Sequence, residues 1–494
     1  MSPADGVLCS AVRDLCERIR PRLGPGAAAD EVDAVQRRLS EPTIRIAVAG
    51  RLKSGKSTLV NALLGQRLAA TDVLECTLLV AWFRYAHQNR IEVHLNDGRV
   101  YYVPGESGGG IPRDLSRLGA PPAEIAKLVV EVTNRHLAGQ YTIVDTPGID
   151  SLSGLDDLAL GAMARADALL YLTPLPGEDD LAALEGLRSR ARAYGITAVN
   201  VLGVLSRIDL RGDGISDPWP TARRIAARYT GLLAGVAADV VPVVGLLAQT
   251  VAGDEFTDAD TVLLRRLATA DHDDLRRAMF SEDTFKAWID GPLTTPERQR
   301  LLTLLGRYGI MIADTAIREA TATPAILATA DLLAILRART GIDELISQLA
   351  ERFIEPADRL RAAAAIGRLE LASYGGRFPA ESAMLASLRA ELIQLRRRWQ
   401  LRQELLVPAL ADLADGQLQL PQEAEQALKA LAEGRSAASC LGLPDPVGAA
   451  AIRRAADEQI CRWQELEGWP SRNVQRWARR ARELCEAFYF EAGN

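Results

Sequence analysis

The chain has 494 residues, a formal net charge of −6, 48% hydrophobic and 25% charged residues. That length exceeds one ordinary core and implies two or three domains, in a globular rather than a disordered class. The acidic surplus argues against a nucleic-acid binder relying on bulk positive field, and six scattered cysteines without a C-x-x-C fit reduced thiols in a cytoplasm rather than a disulfide framework.

The N-terminus carries Asp5, Asp14 and Glu17 where a signal peptide needs an apolar core. No window supplies the roughly 18 apolar residues of a spanning helix; the richest, Ala325 to Leu336, is broken by Asp331. His87, His94, His136 and His272 are far apart, so a histidine metal site is not indicated.

Residues 3–40 read as helix, with Leu8, Val12, Leu15 and Ile19 on one stripe and a break from Pro21 to Gly26. Ile46 to Ala49 read as a buried strand, followed by Gly50-Arg51-Leu52-Lys53-Ser54-Gly55-Lys56-Ser57, the P-loop spacing G-x-x-x-x-G-K-S, and by a helix that Gly65 stops. Such a loop turns backbone N–H groups and a helix dipole toward one point, which suits a phosphate. Gly50 and Gly55 let the backbone close without a Cβ in the way. Lys56 would reach the β- and γ-phosphates and the Ser57 hydroxyl would ligate Mg²⁺, with Ser54 and Thr58 flanking them. Only five of the 58 basic residues are lysines, so a chance match to this pattern is rare.

Residues 66–76 read as loop and Thr77 to Tyr85 as a strand. Asn96-Asp97-Gly98 turns a hairpin between Ile91–Leu95 and Val100–Val103, and residues 104–122, rich in Gly and Pro, read as a long loop. Strands then alternate with helices: Tyr141–Asp145, Leu155–Arg165, Ala168–Thr173, Asp179–Ala193, Asn200–Leu205, Thr221–Gly235 and Val240–Val244. The fold class that follows is an α/β head with a mostly parallel sheet, helices on both faces, and an all-α helical bundle stalk after it. From about residue 255 only helical periodicity remains, and Val474, Trp477, Ala481, Leu484 and Phe488 form one helix seam.

Two strand ends complete the expected nucleotide site. Asp145-Thr146-Pro147-Gly148 fits D-x-x-G, with Asp145 holding Mg²⁺ through water and the Gly148 N–H sensing a γ-phosphate. Ser206-Arg207-Ile208-Asp209 stands where N/T-K-x-D is expected. The Asp209 carboxylate can accept from guanine N1–H and N2–H₂ together, whereas adenine N1 would repel it. Arg207 replaces the usual lysine and would stack on the base. Thr77, with Thr71 as the rival, is the expected switch threonine on Mg²⁺. Ile149 stands where a small regulatory GTPase would have its water-orienting Gln.

These residues together resemble a bacterial dynamin-like GTPase, nearest to the isoniazid-inducible actinobacterial dynamin-like proteins. The resemblance runs through VAGRLKSGKSTLVNALLG, Glu75-Cys76-Thr77 to Phe83-Arg84-Tyr85, the NDGR hairpin, TIVDTPGID, VVPVVGLLA at 240–248 and TGIDEL at 340–345. It implies a GTPase head over residues 41–352, N-terminal helices over 1–40 packing into a bundle, and a helical bundle or stalk over 353–494. It further implies GTP/GDP and Mg²⁺ as cofactors, self-association through the heads or pairing with a second dynamin-like paralogue, and no nucleic acid. The expected location is cytoplasmic, peripheral at the inner face of the plasma membrane, where such proteins tether, bend or repair membranes. In dynamins a polar residue three before the P-loop lysine assists catalysis; Lys53 holds that place, and its ammonium would offset transition-state charge. The runs Leu395 to Arg402 and Tyr374 to Phe378 are the expected lipid contacts. The competing reading is a slow GTP switch or scaffold without membrane remodelling.

Overall fold

The computed structural model describes residues 6–51, 53–69, 79–105, 109–112, 114–133, 137, 140–146, 165–174, 200–233, 237–321, 327–374, 379–396, 398, 401, 403, 406–414, 416–434 and 436–492.

Nine strands make one sheet: β1 (Ile44–Gly50), β2 (Ala81–Tyr85), β3 (Arg90–Leu95), β4 (Val100–Val103), β5 (Ile125–Val132), β6 (Tyr141–Asp145), β7 (Ala168–Thr173), β8 (Val201–Leu205) and β9 (Val240–Pro242), in the order β4-β3-β5-β2-β6-β1-β7-β8-β9. The block β6-β1-β7-β8-β9 is parallel throughout, and β2 enters antiparallel beside β6. The expected mostly parallel head is therefore present. β1 explains its own placement. All seven of its residues are buried, with Ile44, Ile46 and Val48 in the apolar cluster on one face and Ala47 and Ala49 in the cluster on the other. A strand covered on both faces reads as a continuous apolar run rather than an alternation.

Several details differ from the sequence reading. β5 was not anticipated, although Ile-Ala-Lys-Leu-Val-Val-Glu-Val is a good strand sequence. The first described strand residue in the Thr77–Tyr85 stretch is Ala81, with residues 77 and 78 outside the described residues. β9 ends at Pro242, because Val244 N–H turns away to donate to Thr340 O at 2.9 Å. The expected loop 104–122 contains the short 3₁₀ turn Leu115–Leu118 and leads into a second, Pro122–Glu124. The helices expected at 155–165 and 179–193 lie outside the described residues, Arg165 excepted.

The helices are α1 (Val7–Ile19), α2 (Ala27–Ser40), α3 (Lys56–Leu64), α4 (Trp219–Leu232), α5 (Gly245–Ala252), α6 (Asp258–Leu267), α7 (His272–Ala278), α8 (Glu282–Lys286), α9 (Thr295–Thr321), α10 (Thr329–Arg337), α11 (Ile342–Leu349), α12 (Ala357–Ala372), α13 (Pro379–Arg396), α14 (Val407–Ala414), α15 (Gln422–Glu433), α16 (Ala437–Cys440), α17 (Ala449–Glu467) and α18 (Arg472–Glu491). The sequence reading joins the N-terminal helices and the C-terminal third in one bundle; among the described residues their apolar side chains gather in two clusters. α1 and α2 bury Leu15, Ile19, Val32 and Leu39 against α12 and α13. The seam Val474, Trp477, Ala481, Leu484 and Phe488 of α18 closes a separate core with α15 and α17. Buried polar groups fasten the N-terminal helices to the head. Asp167, at the foot of β7, accepts from Arg45 N at 2.8 Å and pairs with Arg38 of α2, while Arg361 of α12 donates to the carbonyls of Leu39 and Glu41. Such buried charges cost desolvation, which their hydrogen bonds to Arg45 N and to the nearby carbonyls help to offset.

Candidate nucleotide-binding site

The loop between β1 and α3 sits at the C-terminal edge of the parallel block, where α/β sheets collect ligands. Its shape depends on two glycines for different reasons. Gly50 has φ 149°, and a Cβ there would lie 2.3 Å from Leu172 O on the neighbouring strand. Gly55 has open space around it but φ 97°, so only its backbone conformation demands glycine. Among the described residues, the two non-glycines in the left-handed region are Lys53 (φ 60°) and Arg207 (φ 53°). Both belong to the predicted site, as backbone strain at a working site would have it.

Lys56 is buried at the first position of α3 and donates from Nζ to Gly50 O at 3.1 Å and Arg51 O at 2.9 Å. Its ammonium is thus held inside the curl of the loop. Ser57 Oγ donates to Asp145 Oδ2 at 3.1 Å, which joins the two sequence motifs directly. Asp145 Oδ1 is buried without a partner among the described residues. Burial pushes this carboxyl up to about 6, against the opposing pull of Lys56, the Ser57 hydroxyl and the Thr146 amide. A partnerless buried carboxylate oxygen next to a serine hydroxyl suits Mg²⁺, which takes one or two protein ligands and completes its octahedron with phosphate and water. No group of three or more His, Cys, Asp or Glu among the described residues could hold a metal by itself.

The base-reading stretch is tied to the loop. Ser206 Oγ donates to Ser54 O at 2.7 Å, and Ser54 Oγ is itself buried without a partner among the described residues. Arg207 is exposed at the head of a 3₁₀ turn, Ile208–Leu210. Asp209 is half-buried in that turn, and burial raises its carboxyl above the ordinary range despite the nearby Arg207. Lys53 is exposed at the rim. Thr58 is half-buried and faces α5, where a Cβ on Gly245 would lie 3.7 Å from its Cγ2. The structure therefore brings Gly50, Ser54, Gly55, Lys56, Ser57, Asp145 and Ser206 together, with Arg207 and Asp209 on the adjoining turn. Thr71, Thr77, Gly148 and Ile149 lie outside the described residues.

Sequence reasoning gave Asn61 no role. It is fully buried on α3, one turn beyond Ser57, and accepts from Leu68 N at 2.9 Å and Ala69 N at 2.8 Å while donating to Ala69 O at 3.0 Å. It fixes the chain to the P-loop helix as that chain leaves it. A buried polar residue in an otherwise apolar helix was the available signal. Asn61→Ala removes the partner of the Ala69 N–H and carbonyl and leaves the Leu68 N–H only its bond to Gln66 O, so it is expected to cost about 1–3 kcal/mol in urea unfolding. A midpoint equal to wild type would show that the loop finds other partners.

Of the two expected lipid-contact runs, Tyr374 is 76% exposed with Arg389 stacked on its ring, and Arg396 is paired to Glu370 at 2.6 Å; residues 375–378, 397, 399, 400 and 402 lie outside the described residues. No described helix is long and apolar enough to cross a membrane.

The Dynamin family model matches residues 46–192. The chain is 33% identical over 456 residues to isoniazid-induced protein IniC of Mycobacterium tuberculosis (strain ATCC 25618 / H37Rv), covering 89% of this chain and 88% of that one. It is 26% identical over 188 residues to a bacterial dynamin-like protein of Nostoc punctiforme, covering 34% of this chain and 26% of that one. A solved structure of an oligomerised bacterial dynamin pair, described as a mechanism for long-range sensing and tethering of membranes, covers 98% of this chain and 75% of its own at 13% identity and a TM-score of 0.34, too slight a likeness to carry an argument.

Proposed function

Because the chain belongs to the bacterial dynamin-like GTPases, on the isoniazid-induced branch, we propose that it binds GTP with Mg²⁺ at the β1–α3 loop and couples hydrolysis to self-association and to remodelling, tethering or repair of a membrane from its cytoplasmic side. The observation that carries the nucleotide part is the Ser57–Asp145 contact beside the buried Lys56, with Ser206 tying the base-reading turn to the same loop.

In this reading the Lys56 ammonium and the loop amides would hold the β- and γ-phosphates, Ser57 would ligate Mg²⁺ and Asp145 would hold it through water. The ion would supply charge neutralisation there. Lys53, exposed at the rim, faces the developing charge on the leaving oxygens.

Base choice is tested at Asp209. A carboxylate accepts two hydrogen bonds from guanine; an amide offers one donor and one acceptor and matches xanthine, which has a carbonyl at C2. Asp209→Asn is expected to weaken GDP binding roughly 10- to 100-fold and to improve xanthosine diphosphate binding, read by competition with a fluorescent nucleotide. Unchanged preference would mean that Asp209 does not read the base. For the membrane part, flotation with anionic liposomes plus a turnover assay decides. Lipid-stimulated hydrolysis is the expected result, and slow lipid-indifferent turnover would leave the switch or scaffold reading instead.

A further inference from the structure

Helix α9 is broken at Gly306, whose φ of 62° and ψ of 178° lie outside the helical range. Glycine suits the break, because a residue with a Cβ adopts that φ only at a cost. The break is seated on α5. Thr250 Oγ1 of α5 donates to Leu304 O just before it. A Cβ on Gly306 would lie 3.4 Å from Leu246, and one on Gly309 would lie 2.9 Å from Leu247. The two residues after the break, Arg307 and Tyr308, both reach the loop that follows the base-reading turn. Arg307 Nη1 donates to Asp213 O at 2.9 Å, and on its other side to Met279 O at 2.9 Å and Phe280 O at 2.8 Å. Trp219 Nε1, at the start of α4, donates to the buried Tyr308 hydroxyl at 3.0 Å. Gly214 between these two clamps has φ 71°. A Cβ there would lie 2.4 Å from Arg307 Nη2 and push the guanidinium off its carbonyls.

The chain between the clamps and Asp209 is short and bonded to itself. Leu210 N donates to Arg207 O at 3.2 Å, Arg211 N to Ile208 O at 3.2 Å and Gly214 N to Arg211 O at 3.3 Å. Asp213 Oδ1 accepts from Ile215 N at 3.0 Å and Ser216 N at 2.8 Å. A displacement at Asp213 is therefore passed back to the turn that carries Asp209. On the near side Ser206 ties that turn to Ser54 O, and Arg211 donates to Pro174 O; on the far side α9 holds it. We propose that Arg307 and Tyr308 are positioning residues for guanine recognition, a role that rests on Asp209 reading the base as set out above. They act through the loop, not on the nucleotide. A carboxylate accepts from guanine N1–H and N2–H₂ together only when both of its oxygens are aligned with the edge of the base, and hydrogen bonds weaken steeply with misalignment. The break at Gly306 thus joins the helical part of the head to base selection: α5 seats the break, and the break sets the two side chains that hold the loop.

The test uses the full-length chain with Mg²⁺ and calorimetric titration of three ligands: GDP; inosine diphosphate, which lacks the 2-amino group; and inorganic tripolyphosphate, which has no base. Wild type should prefer GDP to inosine diphosphate on the order of 10-fold. Arg307→Ala should weaken GDP on the order of 10-fold and bring that preference close to one, while tripolyphosphate binding stays within about twofold. Tyr308→Phe removes a single oxygen and should shrink the preference in the same direction by a smaller factor; it decides the matter where Arg307→Ala folds poorly. A loss shared equally by GDP and tripolyphosphate is what a merely structural role would give, and it would overturn the proposal. So would a full GDP preference retained in the variants. Wild type that takes GDP and inosine diphosphate alike would strike the Asp209 reading, and this one with it, whereas a preference that outlives the substitutions strikes this one alone.

Discussion

Lys56→Ala is expected to lower kcat/KM for GTP on the order of 10²–10³-fold, the usual effect of deleting one buried charge-stabilising donor. The ammonium is held inside the loop by the carbonyls of Gly50 and Arg51, so it meets a phosphate already oriented and pays little ordering entropy on binding. The variant should lose affinity for GDP as well as turnover, because the charge acts on the β-phosphate in both nucleotides. Lys53→Ala gives the contrast. That side chain is exposed at the rim, and its loss should lower kcat while GDP affinity holds. Isothermal titration and single-turnover hydrolysis separate the two. Wild-type turnover in Lys56→Ala would remove the phosphate assignment of the entire loop.

Asp145→Asn is expected to move stability and activity in opposite directions. The carboxyl's folded value of about 6 lies above its ordinary 3.8. Between those values the folded protein holds a proton that the unfolded chain has released. The ionised group therefore costs stability, a cost absent below about pH 4 and incurred as pH rises through 6. Without Mg²⁺ at neutral pH, the neutral amide should stabilise the fold by about 1–3 kcal/mol, and the gain should vanish near pH 4. In the proposed site the same substitution takes away the carboxylate that would hold Mg²⁺ through water, so Mg²⁺-dependent turnover should fall on the order of 10²-fold or more. Thermal melts of both proteins across pH, with and without Mg²⁺ and GDP, check the first half. A variant less stable than wild type at neutral pH would mean that Asp145 is held by favourable contacts rather than burdened by burial.

The two effects belong to one design. Asp145 Oδ1 is buried and unpartnered at a point where an apolar or amide side chain would fold better. Natural chains keep such a residue where function needs the charge, and offset its cost elsewhere. The left-handed backbone at Lys53 and Arg207 is the same kind of compromise.

Much of this was legible in the chain. The P-loop spacing is local, so its strand, its glycine turns and its helix are written within about twenty consecutive residues. The apolar stripe of α1 and the seam of α18 follow from helical period alone, and burial of Val12 and Trp477 agrees. Three matters were decided only by the folded chain. β5 lies between β3 and β2 in space but follows a Gly- and Pro-rich loop in sequence, and edge-ward strand order depends on partners that periodicity does not name. The division of the helices into two cores depends on which apolar stripes face each other, and each stripe alone fits either core. Asn61 was silent because its meaning lies in what surrounds it, two backbone N–H groups and a carbonyl. Sequence spacing fixes chemistry that neighbours along the chain can perform. Desolvation, unpaired donors and shifted protonation arise from atoms brought together across the fold, and only the tertiary structure supplies them.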